Sequence, residues 1–210
     1  SLILLPVIML ALGWELGNDK YMAEDELKTL RKSTEDKSLA DLAKGRTTWP
    51  RIWMLIDLAT CSGLRVAEMA SLKVKDISFK NPPSMYVLGK GNKERDVGIN
   101  NNLVKHIKTH IKQEELSDDD HLLTSSHGKP YTTRALQKHF KTAAKVAGLP
   151  AHYSIHSTRH TYGTLLYRNT RNLRQIQKQL GHAKPSTTAI YADVTKEDIA
   201  KDVNKVFDNL

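Results

Sequence analysis

The sequence predicts a mainly α fold carrying one small antiparallel β-sheet, an α+β arrangement, and three observations lead there. Apolar residues recur at helical spacing in T-W-P-R-I-W-M-L-I-D-L-A-T-C and over most of the second half of the chain. Short strand-like segments, parted by turn signals, occur only between residues 74 and 99. The hydrophobic fraction of 40% and charged fraction of 26% are those of a folded globular protein, and 210 residues hold one large domain, or one domain with a small appendage.

Residues 2–12, L-I-L-L-P-V-I-M-L-A-L, form an apolar run. A bilayer span needs about 20 such residues. Pro6 interrupts any helix there and no basic residue precedes the run, so neither a membrane anchor nor a signal segment is expected. We read residues 1–22 as an apolar linker or N-terminal remnant and 23–210 as the folded domain. Met22 to Leu27 opens a polar helix with Glu24, Asp25 and Glu26 in its first turn, where the helix dipole favours acids. Residues 33–44 continue as a charged surface helix or loop.

Thr47 or Thr48 caps the next helix, Pro50 suits its first turn, and Ile52, Leu55, Ile56 and Ala59 form its apolar face. Ser62-Gly63 ends it, and Leu64 to Leu72 reads as a short helix with Leu64, Ala67 and Leu72 turned inward. Strands are expected at Val74–Phe79, Ser84–Leu88 and Arg95–Ile99, separated by Asn81-Pro82-Pro83 and by a glycine-rich hairpin with Lys90 at its tip. Helices follow at about 100–115, 132–147, 156–168, 172–180, 186–192 and 195–208. Thr195 caps the last, and Ile199, Val203, Val206 and Phe207 form its apolar stripe.

A net charge of +9 points to a polyanionic partner, most often nucleic acid. Cys61 is the only cysteine, which excludes an intramolecular disulfide and a multi-cysteine zinc site and suits a reducing, cytoplasmic setting. Its apolar neighbours make it a small buried hydrophobe. His152, His156 and His160 fall at spacings of four, as in some zinc sites. No carboxylate accompanies them, and Arg159 would repel a cation, so no metal is expected.

Four phrases concentrate the residues able to do chemistry: S-G-L-R-V-A-E-M at 62–69, G-K-G-N-K-E-R at 89–95, H-S-T-R-H-T at 156–161, and L-G-H-A-K-P-S-T-T-A-I-Y at 180–191. Taken singly, each has an ordinary reading. Arg65 and Glu68 form a surface ion pair, Lys90 and Lys93 are solvated turn charges, His156 and Arg159 cap a neighbouring helix, and Tyr191 is an edge-of-core aromatic. In this order and spacing the set resembles the catalytic domain of tyrosine recombinases, the phage-integrase family, over roughly residues 45–195.

The resemblance implies a tyrosine-recombinase catalytic-domain-like fold and roles for matching residues. Arg65 and Arg159 are the two phosphate-binding arginines, Lys90 the hairpin lysine and His156 the histidine of H-x-x-R. His182 precedes the nucleophile, Tyr191 is the nucleophile, and Glu68 supports the site. It also implies double-stranded DNA as partner, no metal or other cofactor, and a homo-tetramer assembled through the C-terminal helix. Attack on a phosphodiester concentrates negative charge on the phosphoryl oxygens, and two guanidinium forks suit that task. A tyrosine hydroxyl with an ordinary pKa of about 10 needs a base, for which His156 serves, and Lys90 protonates the leaving 5′ oxygen. Arg134 and Lys138, on the 132–147 helix, are candidate DNA contacts. A type IB topoisomerase carries a closely similar residue set, and a non-cleaving DNA-binding module is the remaining alternative.

Overall fold

The computed structural model describes residues 21–89 and 91–181. The expected helices at 186–192 and 195–208, with the stripe from Ile199 to Phe207, lie outside the described residues.

Helix α1 spans Glu24–Leu42 as one continuous element, joining the two segments that the sequence left separate. Glu26 holds its start, where Oε2 accepts from the amide of Ala23 at 2.8 Å and from the hydroxyl of Tyr153 at 2.7 Å. Its buried side includes the small polar residues Thr34 and Ser38 as well as Leu30, and this side packs on the next helix. Helix α2, Thr48–Ser62, has ten of its 15 residues buried and is the centre of the domain. A helix apolar on nearly every side must be covered on every side. The remaining long helices, introduced below, provide that cover together with α1.

Gly63 ends α2 in the left-handed conformation at φ 66°, and a Cβ there would stand 2.6 Å from both Leu180 and Tyr162 side-chain carbons. Helix α3 is shorter than the sequence reading, Val66–Ser71. Arg65 is extended, at φ −74° and ψ 153°, and acts as its cap. Starting one residue past Arg65 sets the helical phase: Val66 and Met69 enter the core and Ala67, expected inside, is exposed.

The sheet is also smaller than expected. Val74–Asp76 is a single 3-10 turn, because the amides of Val74 and Lys75 bond to the carbonyls of Asp120 and Asp118 and not to a strand. Strand β1 is therefore only Ile77–Ser78, followed by β2, Ser84–Leu88, and β3, Glu94–Gly98, in antiparallel order β1-β2-β3. The β2–β3 register pairs Met85 with Val97, both fully buried, so that one face of the hairpin joins the core.

Helices α4, Asn101–Gln113, α5, Thr133–Val146, α6, Ile155–Thr170, and α7, Leu173–Leu180, complete the described chain. Asn100, Thr132 and Asn172 cap α4, α5 and α7 through side-chain oxygens that accept third-residue amides. Helices α4, α5 and α6 all pack on α2. Met22 is buried, and its amide donates to Thr161 Oγ1 of α6 at 2.9 Å. Ile176 and Leu180 of α7 form a second small apolar cluster with Tyr162, Leu166 and Tyr167 of α6. Among the described residues, no helix is long and apolar enough to cross a membrane.

Two buried ionic contacts brace the bundle. Arg51 donates twice to Glu114 Oε2, at 3.0 and 2.7 Å. Asp57 of α2 pairs with Arg31 of α1 at 2.7 Å and with His106 of α4 at 2.6 Å. Cys61 differs from the sequence reading: it is half-buried, and its Sγ lies 2.8 Å from Arg31 Nη1. The long Arg31 side chain reaches over from α1 to Asp57 and passes Cys61 on the way.

Candidate active site

Arg65 is placed by the turn between α2 and α3. Its backbone amide donates to Glu68 Oε2 at 2.7 Å, and its Nη1 donates to Glu68 Oε1 at 3.0 Å. The Arg65 side chain is 36% exposed and that of Glu68 only 4%. This is not a surface ion pair. Glu68 is a buried carboxylate, and a second arginine satisfies it: Arg95 of β3 donates Nη1 to Oε1 at 2.8 Å and Nη2 to Oε2 at 2.9 Å. Burial pushes the Glu68 carboxyl pKa up, but the Arg95 bonds, the Arg65 amide and both guanidinium charges outweigh it, so the net shift is downward.

Arg159 sits one turn into α6 and is almost fully buried. Its Nη1 donates to the carbonyl of Gly63 at 2.6 Å, and its Nη2 to the carbonyl of Leu180 at 2.8 Å. One guanidinium thus ties the segment leading into Arg65 to the end of α7, the segment leading into His182. His156, on the first turn of the same helix, is exposed, so the two residues that the sequence puts on one face differ in access to solvent. The buried side of α6 is mainly small and polar, with Ser157, Thr158, Thr161, Gly163 and Thr164. Those residues let α6 lie close to its neighbours and leave room for the guanidinium.

The end of α7 is held from three sides. Gly181 is left-handed at φ 66° and closes the helix, with its amide bonded to the carbonyl of Gln177. Arg95 Nε donates to the carbonyl of Gln179 at 3.2 Å, beside the Leu180 carbonyl taken by Arg159. The unpaired carbonyls of a helix C-terminus carry partial negative charge and favour cations. The Gln179 side chain bonds to both the amide and the carbonyl of Gly98 in β3, and to Tyr162 Oη in α6. A Cβ at position 181 would meet the Arg95 side chain at 2.8 to 3.0 Å, so glycine at this position leaves the path open for Arg95.

Lys90, His182 and Tyr191 lie outside the described residues. Chain connectivity still fixes their neighbours: Lys90 is in the hairpin between β2 and β3, and His182 directly follows Gly181. Arg134 and Lys138 are exposed on α5. Lys141 of the same helix is committed elsewhere, with Nζ donating to the carbonyls of Ala151 and Tyr153 at 2.6 and 2.5 Å. Among the described residues, no group of three or more His, Cys, Asp or Glu side chains is placed to hold a metal ion.

Sequence reasoning missed Arg95. It stands inside the quoted phrase G-K-G-N-K-E-R, at the third strand, yet its partners are 27 and 84 residues away. The one available signal was the alternation of β3, which puts Arg95 and Val97 on the same face, the face Val97 buries.

A family model described as "Phage integrase family" matches residues 20–198. The chain belongs to this family. Its relatives include the tyrosine recombinase XerD of Staphylococcus saprophyticus, 28% identical over 89% of this chain and 69% of that protein. Another is XerD of Halalkalibacterium halodurans, 32% identical over 77% of this chain and 56% of that protein. The chain thus spans about half to two thirds of the length of these relatives. Among solved structures, the XerA recombinase superposes with a TM-score of 0.71 at 25% identity, covering 89% of this chain and 65% of that one. A XerH site-specific recombinase bound to difH substrate, in a pre-cleavage complex, superposes with a TM-score of 0.72 at 25% identity, over 88% and 53%. The mainly helical fold with its three-stranded antiparallel sheet is that of a tyrosine recombinase catalytic domain.

Proposed function

We propose that this chain is the catalytic domain of a site-specific DNA recombinase that cuts and rejoins strands through a 3′-phosphotyrosyl intermediate. The observation that carries the proposal is the Arg159 clamp, which joins the segments leading into Arg65 and His182 around one buried cation. In this reading the Tyr191 hydroxyl attacks the scissile phosphorus, forming the Tyr O–P bond as the bond to the 5′ oxygen breaks. His156 takes the phenolic proton, and Lys90 gives one to the leaving 5′ oxygen. Arg65, Arg159 and His182 stabilise the charge gathering on the phosphoryl oxygens. Glu68 supports the site by fixing Arg65. A phosphodiester is exchanged for a phosphotyrosyl ester, so rejoining by another 5′ hydroxyl needs no nucleotide cofactor and no metal.

The partner in this reading is double-stranded DNA, in keeping with the net charge of +9. Exposed Arg134 and Lys138 on α5 contact its phosphates or base edges, and the segment 195–208 assembles a homo-tetramer on two duplexes. The reaction takes place in the cytoplasm, at the nucleoid. The test is a suicide DNA substrate nicked near the cleavage position. A covalent 3′ adduct that survives EDTA and disappears in Tyr191→Phe is expected. Absence of adduct with the unaltered chain, or strict dependence on a divalent metal, would overturn the proposal. Replacing Arg134 and Lys138 with Ala is expected to lower the logarithmic salt dependence of DNA binding by roughly 2, and an unchanged slope removes them from the interface.

A further inference from the structure

We infer that Arg95 is a positioning residue for the reaction: by occupying Glu68 through its two terminal guanidinium nitrogens, it keeps Arg65 from being captured and leaves the Arg65 fork free for phosphate. An ionised carboxylate offers about four acceptor positions. At Glu68 all four are filled, two by Arg95, one by the Arg65 amide and one by Arg65 Nη1. Arg65 is therefore restricted to a single side-chain contact, and its Nε and Nη2 are uncommitted to any described residue. Arg65 is the more exposed of the two arginines, 36% against 10% for Arg95. The division of labour follows from geometry. Arg95 comes from β3, meets the carboxylate end-on and closes the two-pronged pairing that guanidinium and carboxylate favour. Arg65, three residues from Glu68, reaches it from the side.

Remove Arg95, and two acceptor positions open on a buried carboxylate beside a half-exposed arginine. The cheapest way to fill them is for Arg65 to swing into bidentate pairing, which withdraws its remaining donors from solvent and from any phosphate. Arg95 also bonds to the Gln179 carbonyl, and it lies on the hairpin that bears Lys90. The same side chain thus sets the hairpin, Arg65 and the approach to His182 in one frame.

This inference rests on the recombinase reading for its activity arm, so the test has a second arm that does not. The Arg95→Met, Arg95→Lys, Glu68→Gln and Glu68→Gln/Arg95→Met chains are compared with the unaltered one. In the first arm, modification of Arg65 by phenylglyoxal is followed by peptide mass spectrometry. Arg65 is expected to react in the unaltered chain, to be protected several-fold in Arg95→Met, and to recover in the double variant, where no carboxylate remains to capture it. In the second arm, single-turnover adduct formation at saturating nicked DNA is expected to fall roughly 100-fold in Arg95→Met, with a smaller change in Kd. The double variant is expected to regain at least about tenfold of that loss, and Arg95→Lys, with its point charge, to fall between.

A merely structural role for Arg95 would leave the double variant no better than the single in both arms, and that outcome overturns the inference. Arg65 labelling that follows the expected order, together with no adduct from the unaltered chain, upholds the capture of Arg65 and rejects the recombinase reading.

Discussion

Arg159→Met is expected to destabilise the domain by about 3 kcal/mol, a magnitude that follows from two hydrogen bonds and one buried charge. The guanidinium donates to the carbonyls of Gly63 and Leu180, and Arg159 is only 8% exposed. A bond from a charged donor contributes roughly 1.5–3 kcal/mol net, so the two together contribute roughly 3–6 kcal/mol. Removing the ion also removes its desolvation cost, which returns part of that gain. The assay is urea unfolding followed by the fluorescence of Trp49 and Trp53, which lie in the first two turns of α2. With a urea m-value of about 2 kcal/mol/M, the midpoint should fall by about 1.5 M at constant m. Arg159→Lys should recover less than half, because one ammonium cannot span the carbonyls of residues 63 and 180 as a planar fork does. A midpoint change under about 0.3 M in Arg159→Met would refute the clamp.

Other outcomes test neighbouring parts of the same framework. Gly181→Ala combines a left-handed backbone at φ 66° with a Cβ placed 2.8 Å from Arg95 Cδ, so a loss of about 2 kcal/mol and a Tm lower by roughly 4–8 °C are expected in a thermal melt. Asp57→Asn removes the buried anion that half-buried Arg31 and His106 share and is expected to cost about 3 kcal/mol, read by the same urea titration. His110 is buried, with Nε2 bonded to the Leu122 carbonyl, and burial lowers its pKa from 6.5 to about 4. The unfolded chain binds that proton first on acidification, so its contribution is complete above pH 6.5 and is lost as pH falls towards 4, by roughly 3 kcal/mol. A His110→Gln chain should show a flatter stability profile across that window. Glu68 and Asp57 have lowered carboxyl pKa values, so their contributions hold through this window and fade only at more acid pH.

Much of this fold could be read along the chain because its signals are local. Asn100, Thr132 and Asn172 each cap a helix within three residues of their own position, and turn residues mark the sheet. Arg65, Glu68, His156 and Arg159 stand out as candidates because each lies in a short phrase of recognisable composition. What was missed depends on partners far along the chain. Val74 left the strand for bonds to the 118–120 turn. Ala67 changed sides because Arg65 took the capping position and shifted the phase of α3. Cys61 lost its apolar reading to an arginine 30 residues earlier. Arg95 had only the alternation of β3 as a local signal, since nothing in G-K-G-N-K-E-R itself distinguishes a solvated turn cation from one that crosses to a buried carboxylate.

The arrangement also answers an electrostatic problem posed by gathering several arginines at one place. Arg65 and Arg95 converge on Glu68, while Arg95 and Arg159 meet adjacent carbonyls at the end of α7. Three like charges this close repel, and each would turn outward to water if nothing opposed it. Glu68 supplies one full negative charge to two of them, and the C-terminus of α7 supplies partial negative charge to Arg95 and Arg159. Neither source neutralises the cluster: among the described residues, three guanidinium charges against one carboxylate leave a net positive balance, and the uncommitted donors lie on the half-exposed Arg65. Raising the negative charge would hold the arginines more firmly but blunt their attraction for an anion; lowering it would let them disperse. While Arg65 and Arg95 both converge on it, Glu68 therefore has to remain ionised for the cluster to stay assembled, and the same two arginines that it restrains keep its pKa low. The cations fix the state of the acid that fixes their position.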